Sequence, residues 1–178
     1  MQLGPFSTET PVFLAPMAGV TDLPMRQLAV KQGADVAVGE MMTSDLSLSE
    51  SRKSTLRARH SDEAGLRAIQ LVGNDPNALA AAARYNVERG AEVIDINMGC
   101  PAKKVVKRYA GSALMRDLSL ASDIIKAVVK ATSLPTTLKM RLGWDEDTKN
   151  APELARIAEN NGIKLITVHG RTRQQLYK

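Results

Sequence analysis

Along the chain, short runs of consecutive apolar and β-branched residues alternate with longer stretches in which apolar positions recur every three or four residues. The short runs read as strands covered on both faces, and the three-to-four spacing reads as helices with one buried side. The pattern predicts strands over Val12–Met17, Val36–Met41, Leu66–Val72, Val93–Met98, Thr136–Leu142 and Lys164–His169. It predicts helices over Leu23–Gln32, Pro76–Arg89, Leu120–Ala131 and Pro152–Asn161. Asn74 and Asp75 offer capping side chains ahead of the second helix, and Gly33, Gly90 and Gly162 follow helical stretches as C-terminal caps do. Repeated strand-then-helix units imply parallel pairing through right-handed crossovers, in a doubly wound sheet or a (β/α)8 barrel.

The strand ends decide between the two. A dinucleotide-binding doubly wound sheet calls for Gly-x-Gly-x-x-Gly after an early strand, and no such run is present. Polar or special residues instead close nearly every strand: Pro16-Met17-Ala18-Gly19, Glu40-Met41-Met42, Gln70, Asn97 with Cys100, Lys139 with Arg141, and His169 with Arg171. A TIM barrel collects its active groups from the ends of many strands in this way. A closed barrel needs eight strands and about 250 residues. The fold class expected for residues 1–178 is therefore α/β, the N-terminal portion of a (β/α)8 barrel with about six units, the last strands absent.

Composition narrows the setting. The 178 residues suffice for one domain with a substantial core. Hydrophobic residues make up 44% and aromatics only 3%, which suits aliphatic helices packed on a buried parallel sheet. The single cysteine excludes an internal disulfide, and no charged-then-apolar leader opens the sequence, so a reducing cytoplasm is expected. No apolar run approaches the roughly 18 residues needed to span a bilayer. A net charge of +5 and a pI near 9.5 favour polyanionic partners. Two basic clusters sharpen that expectation: Arg52, Lys53, Arg57, Arg59 and His60, and then Lys103, Lys104, Lys107 and Arg108 directly after the cysteine. Either cluster also reads as an ordinary solvated face.

Cys100 sits in Asn97-Met98-Gly99-Cys100-Pro101, a turn at the carboxyl end of an apolar strand. A packing cysteine belongs inside such a run, whereas catalytic groups of α/β proteins gather just beyond it. Lys139 interrupts the strand Thr137-Leu138-Lys139-Met140-Arg141, where a buried ammonium requires a partner. It suits contact with an anionic cofactor or, at lowered pKa, a Schiff base. Gln70 brings an amide into an apolar strand and suits hydrogen bonding to a heteroaromatic ring edge, its plainer reading being a satisfied core amide. His169, at a strand end before Gly170-Arg171, reads as a ligand contact or a structural cap. One cysteine and two distant histidines argue against a metal site.

Four of these segments together carry a resemblance. Ala15-Pro16-Met17-Ala18-Gly19-Val20-Thr21-Asp22, Ile96-Asn97-Met98-Gly99-Cys100-Pro101, Leu138-Lys139-Met140-Arg141-Leu142-Gly143-Trp144 and Val168-His169-Gly170-Arg171-Thr172-Arg173 resemble the tRNA-dihydrouridine synthases nearly from end to end. Gly99-Cys100-Pro101-Ala102-Lys103-Lys104-Val105 looks most like the bacterial B-type branch. The resemblance implies an FMN-dependent TIM barrel that reduces uridine in the D-loop of tRNA, with NADPH as electron source. It implies that Pro16, Met17 and Ala18 form the first FMN segment, that Gln70 and Lys139 contact the isoalloxazine, and that His169 is a further cofactor contact. It makes Cys100 the general acid and places Asn97 and Arg141 toward the flavin and the target base.

Elementary chemistry agrees with those roles. Saturating the uracil 5,6-bond takes a hydride to C6 and a proton to C5 from the opposite face. An ordinary thiol, with a pKa of about 8.5, is protonated at neutral pH yet able to release its proton. A basic rim through Lys103 and Lys104 would grip RNA while the uridine leaves its stack. The sequence departs from the family in length: the last strands, the phosphate-binding loops that follow them and a C-terminal helical tRNA-binding domain are missing, leaving a sheet with two open edges. Two other readings stand beside the synthase, a non-catalytic RNA-binding fragment and a class I aldolase using Lys139 as Schiff-base nucleophile.

Overall fold

The computed structural model describes residues 1–9, 11–48 and 65–175. An antiparallel hairpin, β1 (Gln2–Leu3) and β2 (Phe6–Ser7), precedes a parallel sheet. The main strands of that sheet are β3 (Phe13–Leu14), β4 (Val36–Val38), β6 (Leu66–Val72), β7 (Val93–Met98), β8 (Thr136–Arg141) and β9 (Leu165–His169). A short strand between β4 and β6, β5 (Met42–Thr43), pairs with the far end of β6. The helices are α1 (Leu23–Lys31), α2 (Pro76–Val87), the single turn α3 (Lys103–Val106), α4 (Leu118–Ala131) and α5 (Ala151–Asn160).

The main strands pair in the order in which the chain makes them, β3-β4-β6-β7-β8-β9. A doubly wound sheet reverses direction at a switch point, so strict succession marks a barrel wall. Curvature is visible in the side chains. Phe13 and Leu14 on one edge strand and Leu165 and Thr167 on the other line one cavity, which a flat sheet of this width would forbid. The expected fold is thus present as a half-barrel of six strands.

Strand alternation separates two apolar regions. Ile69, Leu71, Ile94, Ile96, Met98, Leu138 and Met140 point outward and pack on Leu79 and Ala83 of α2, Ile124, Ile125 and Val128 of α4 and Leu154 of α5. Val36, Val38, Leu66, Ala68 and Val93 form a smaller inner cluster, sealed by Leu3, which is only 2% exposed. The hairpin that carries Leu3 was not foreseen in the sequence, since two-residue strands leave no period to read.

Several boundaries move for identifiable reasons. The first strand shrinks to Phe13–Leu14 because Pro16 brings no N–H to a ladder and residues 17–20 turn. The second breaks after Val38 and resumes at Met42. Helix α4 begins at Leu118, earlier than its apolar period, because the Asp117 carboxylate accepts the Leu120 N–H at 2.9 Å. Asp75 caps α2 as expected, accepting the Ala78 N–H at 2.7 Å. The basic cluster Arg52, Lys53, Arg57, Arg59 and His60 lies outside the described residues. Among the described residues, no helix is long and apolar enough to cross a membrane.

If Leu3 seals the inner cluster, Leu3→Ala lowers the unfolding free energy by about 2 kcal/mol, the low end for core leucines because its site borders a cavity. The exposed Val20→Ala changes it by less than about 0.5 kcal/mol. Urea unfolding midpoints of both variants check the contrast.

Candidate active site

Inward positions change character along each strand. Near the amino ends they are apolar, Val36, Ala68, Val93 and Leu165; toward the carboxyl ends they become Gln70, Asp95, Asn97, Thr137, Lys139, Arg141, Thr167 and His169. Parallel register stacks these in tiers, with Gln70 beside Asp95 and Asp95 beside Thr137, then Asn97 beside Lys139 and Lys139 beside Thr167, then Arg141 beside His169. This upper end of the half-barrel is where barrel enzymes hold their catalytic groups.

One hydrogen-bonded chain organises the polar tiers. The buried Asp95 carboxylate accepts from Thr137 Oγ1 at 2.5 Å and from Gln70 Nε2 at 2.6 Å. With its amide nitrogen so engaged, Gln70 turns its Oε1 to accept from Asn97 Nδ2 at 2.7 Å. Asn97 Oδ1 is thereby left to accept two backbone N–H groups, from Gly99 at 3.1 Å and from Cys100 at 2.9 Å. A carboxylate can only accept, so it dictates the orientation of both amides in turn.

The other side of Cys100 is fixed as well. Its carbonyl accepts from both the N–H of Ser112, at 3.1 Å, and the Ser112 hydroxyl, at 2.9 Å. Gly111, at φ +61°, passes so close that a Cβ there would come within 2.8 Å of the Cys100 carbonyl oxygen. Arg141 Nε donates to Gly99 O at 2.7 Å and its Nη1 to Thr172 O at 3.1 Å, tying the cysteine turn to the loop after β9. Cys100 itself is half-buried.

Charge in this interior is unevenly compensated. Burial holds the Lys139 ammonium below its ordinary pKa; Asp95 opposes that shift and Arg141 adds to it. Burial raises the Asp95 carboxyl, countered by its bonds to Thr137 and Gln70 and by Lys139. Burial and the neighbouring Arg141, Lys139 and Arg171 lower His169, whose Nδ1 is buried without a hydrogen-bond partner. The result is a cationic pocket with an unused imidazole nitrogen, suited to an electron-rich or anionic ligand.

The sequence-derived residues fall into groups. Gln70, Asn97, Cys100, Lys139, Arg141 and His169 come together at the carboxyl ends of β6 to β9. Pro16 lines the same inner cavity as Lys139, while Met17 and Ala18 are exposed on the turn beside it. Lys103 and Lys104 are exposed on α3, just beyond Cys100. Asp95 was missed, although Asp95 and Asn97 alternating within Val93–Met98 form a period-two signal of one polar face. Arg26 was missed too; it is 1% exposed and donates to Thr21 O at 2.9 Å, bracing the turn that carries Met17. The inner cavity holds about 90 Å³. A larger groove of about 430 Å³ opens at the opposite end of the strands, with Asp35 and Glu92 in its wall. Asp35 is taken by Thr8 and the Val12 N–H, and Glu92 by Arg67, so that groove reads as structural. Among the described residues, no group of His, Cys, Asp and Glu side chains could hold a metal ion.

The network predicts a split between two substitutions, read through the single thiol. Asp95→Ala removes the acceptor for Gln70 and Thr137, frees the amides and changes the alkylation rate of Cys100 by about fivefold or more. Asp95→Asn restores the native rate, because the Thr137 hydroxyl can accept where it donated, yet without the carboxylate charge the Lys139 pKa falls further. Iodoacetamide kinetics and the NMR titration of dimethylated lysine report the two effects separately.

Comparison with known proteins follows the same lines. The sequence model of the family described as Dihydrouridine synthase (Dus) matches residues 13–178. The chain is 53% identical over 177 residues to tRNA-dihydrouridine synthase B of Pseudomonas syringae pv. tomato, covering 99% of this chain and 52% of the relative. It is 54% identical to the protein of that name from Xanthomonas axonopodis pv. citri, over 99% of this chain and 53% of the relative. For Shewanella oneidensis the identity is 51%, over 100% of this chain and 55% of the relative. The chain thus spans about half the length of the curated relatives it matches. Among solved structures, a phosphonopyruvate hydrolase gives a TM-score of 0.51 at 14% identity, over 91% of this chain and 59% of that one. The carboxyl transferase domain of Rhizobium etli pyruvate carboxylase, solved with 3-hydroxypyruvate, gives 0.51 at 17% identity, over 79% of this chain and 22% of that one. At such identities the likeness concerns the fold alone. The family match over nearly the whole sequence, on a half-barrel whose strand ends converge on Cys100, shows that this chain belongs to the dihydrouridine synthase family.

Proposed function

We propose that the chain contributes the catalytic face of a cytoplasmic flavin-dependent reductase that converts uridine in the D-loop of tRNA to 5,6-dihydrouridine, with FMN as resident cofactor and NADPH as electron source. The observation that carries this reading is the double clamp on the Cys100 backbone, by Asn97 on one side and Ser112 on the other, at the mouth of a cationic interior. A thiol that only packed would need no such anchoring.

The residues present fit a flavin chemically. The inner cavity is smaller than the roughly 300 Å³ of a ligand pocket, so it does not by itself enclose the ring system. The groups around its mouth match the ring's needs: Lys139 and the orphan Nδ1 of His169 offer contacts to electron-rich atoms, and Pro16, Met17 and Ala18 offer an apolar and backbone surface. Bound FMN supplies hydride to C6 of the uracil. The remaining work belongs to the protein. Cys100 gives the C5 proton, from a turn held still enough to aim it. Gln70, Asn97 and Arg141 are engaged with one another or with the cysteine turn, so Asn97 and Arg141 serve the target base by placing Cys100 and Gln70 presents only its remaining amide N–H and lone pair. Lys103 and Lys104 grip the RNA backbone beside the reacting nucleotide.

In the protein carrying this segment at the length of its relatives, Cys100→Ala keeps the flavin absorbance and slows dihydrouridine formation on unmodified tRNA by at least about a hundredfold, the scale of a lost general acid. Turnover at the native rate in that variant overturns the assignment. In the same protein Lys139→Ala lowers FMN occupancy or slows reduction by NADPH, and stopped-flow absorbance at flavin wavelengths checks it. The depressed pKa of Lys139 also favours the aldolase reading. Borohydride trapping with an aldehyde or ketone, absent in the synthase, separates the two.

A further inference from the structure

On the same end of the half-barrel, beside the cysteine turn, two guanidinium groups converge on one indole. The Arg116 Cζ lies 4.9 Å and the Arg173 Cζ 4.7 Å from the centroid of the Trp144 ring. Each comes from a different loop: Arg116 ends the 3₁₀ segment that begins at Gly111, Trp144 follows β8, and Arg173 follows β9.

The support beneath them is stitched together. The Arg173 N–H donates to Gly143 O and the Gln174 N–H to Trp144 O, each at 3.0 Å, carrying the β8–β9 pairing past the strand ends. Asn150 Nδ2 donates to Met115 O at 2.7 Å, fixing the residue before Arg116. The three side chains therefore stand in a prearranged set, not on free loops.

Their charge is left open. Among the described residues neither guanidinium forms an ion pair. The nearby carboxylate, Asp145, is committed to the Thr148 hydroxyl at 2.6 Å and the Thr148 N–H at 2.9 Å, and attracts Arg116 only at longer range. Arg173 Nε is buried with no hydrogen-bond partner. Two like charges over one ring repel each other, and one of them hides an unused donor. An anion docked against the two guanidinium groups would relieve their repulsion, while the indole between them holds both in place.

We infer that Arg116, Trp144 and Arg173 form a phosphodiester-binding platform that holds the RNA strand flanking the reacting nucleotide. A pair of cations held by an aromatic ring engages the charge of a single-stranded RNA backbone. The platform is joined to the reaction centre through Arg141, which donates both to Thr172 O, next to Arg173, and to Gly99 O, next to Cys100. This inference rests on the reading of the protein as a tRNA-modifying reductase and adds to it a second grip, carried by other loops than the one that holds Lys103 and Lys104.

Trp144 is the single tryptophan among the 178 residues, so its emission reports this site alone. The experiment titrates the protein with unmodified tRNA, with oligouridylate and with inorganic phosphate at several salt concentrations, and measures tRNA affinity independently by filter binding. The platform predicts a saturable change in emission with both RNAs. It predicts that Arg116→Gln and Arg173→Gln each weaken tRNA binding several-fold and each reduce the slope of log affinity against log salt by about one. Arg116 is exposed, so its variant folds normally and keeps the test open if the Arg173 variant does not. Filter binding with unchanged emission and unchanged slopes overturns the platform and leaves the reductase reading standing. Equal saturation by inorganic phosphate alone overturns it in favour of a free-anion site. No tRNA binding by either measurement overturns the platform together with the reading beneath it.

Discussion

A single buried carboxylate sets the direction of the side-chain hydrogen bonds that run from β8 and β6 to the cysteine turn. Asp95 cannot donate while ionised, so Thr137 and Gln70 must, and each later member of the chain inherits its orientation from that fact. Burying such a charge costs several kcal/mol unless donors surround it. The two short hydrogen bonds, with Lys139 attracting it from the next tier, offset part of that cost. The cysteine turn lies at the far end of this chain of dependence, three hydrogen bonds away from the carboxylate that governs it.

Two tiers with opposite chemistry share one wall. Below, aliphatic side chains from β4, β6 and β7 close on Leu3. Above, β6 and β7 present amides and a carboxylate and β8 presents cations, and burial among packed strands strengthens each interaction there. Because the strands are parallel and follow one another in order, every carboxyl end arrives on the same side, so loops that are far apart in sequence contribute to one surface. The link from Gly99 through Arg141 to Thr172 exists only because of that topology.

Much of this was legible in the sequence, for reasons that can be named. Central strands such as Val93–Met98 are buried on both faces, so their apolar runs mark their limits to the residue. Edge strands and hairpins give weaker signals, which is why Val12–Met17 contracted and Gln2–Ser7 went unseen. Cys100, Lys139 and His169 stood out because each is chemically out of place where it occurs. Asp95 did not, because an acidic residue in a strand reads as a surface position until its neighbours are known. The Trp144 cluster was equally hidden: its members come from three loops, and no spacing along the chain connects them.

The isolation of Cys100 has a cost unrelated to turnover. Among these 178 residues there is no other cysteine, so a sulfenic acid formed on this half-buried sulfur has no internal partner with which to close a disulfide. Peroxide damage here is repaired by a thiol from outside this segment, and otherwise advances to the irreversible acids. Within this segment the lone thiol is thus reliant on the reducing power of its surroundings.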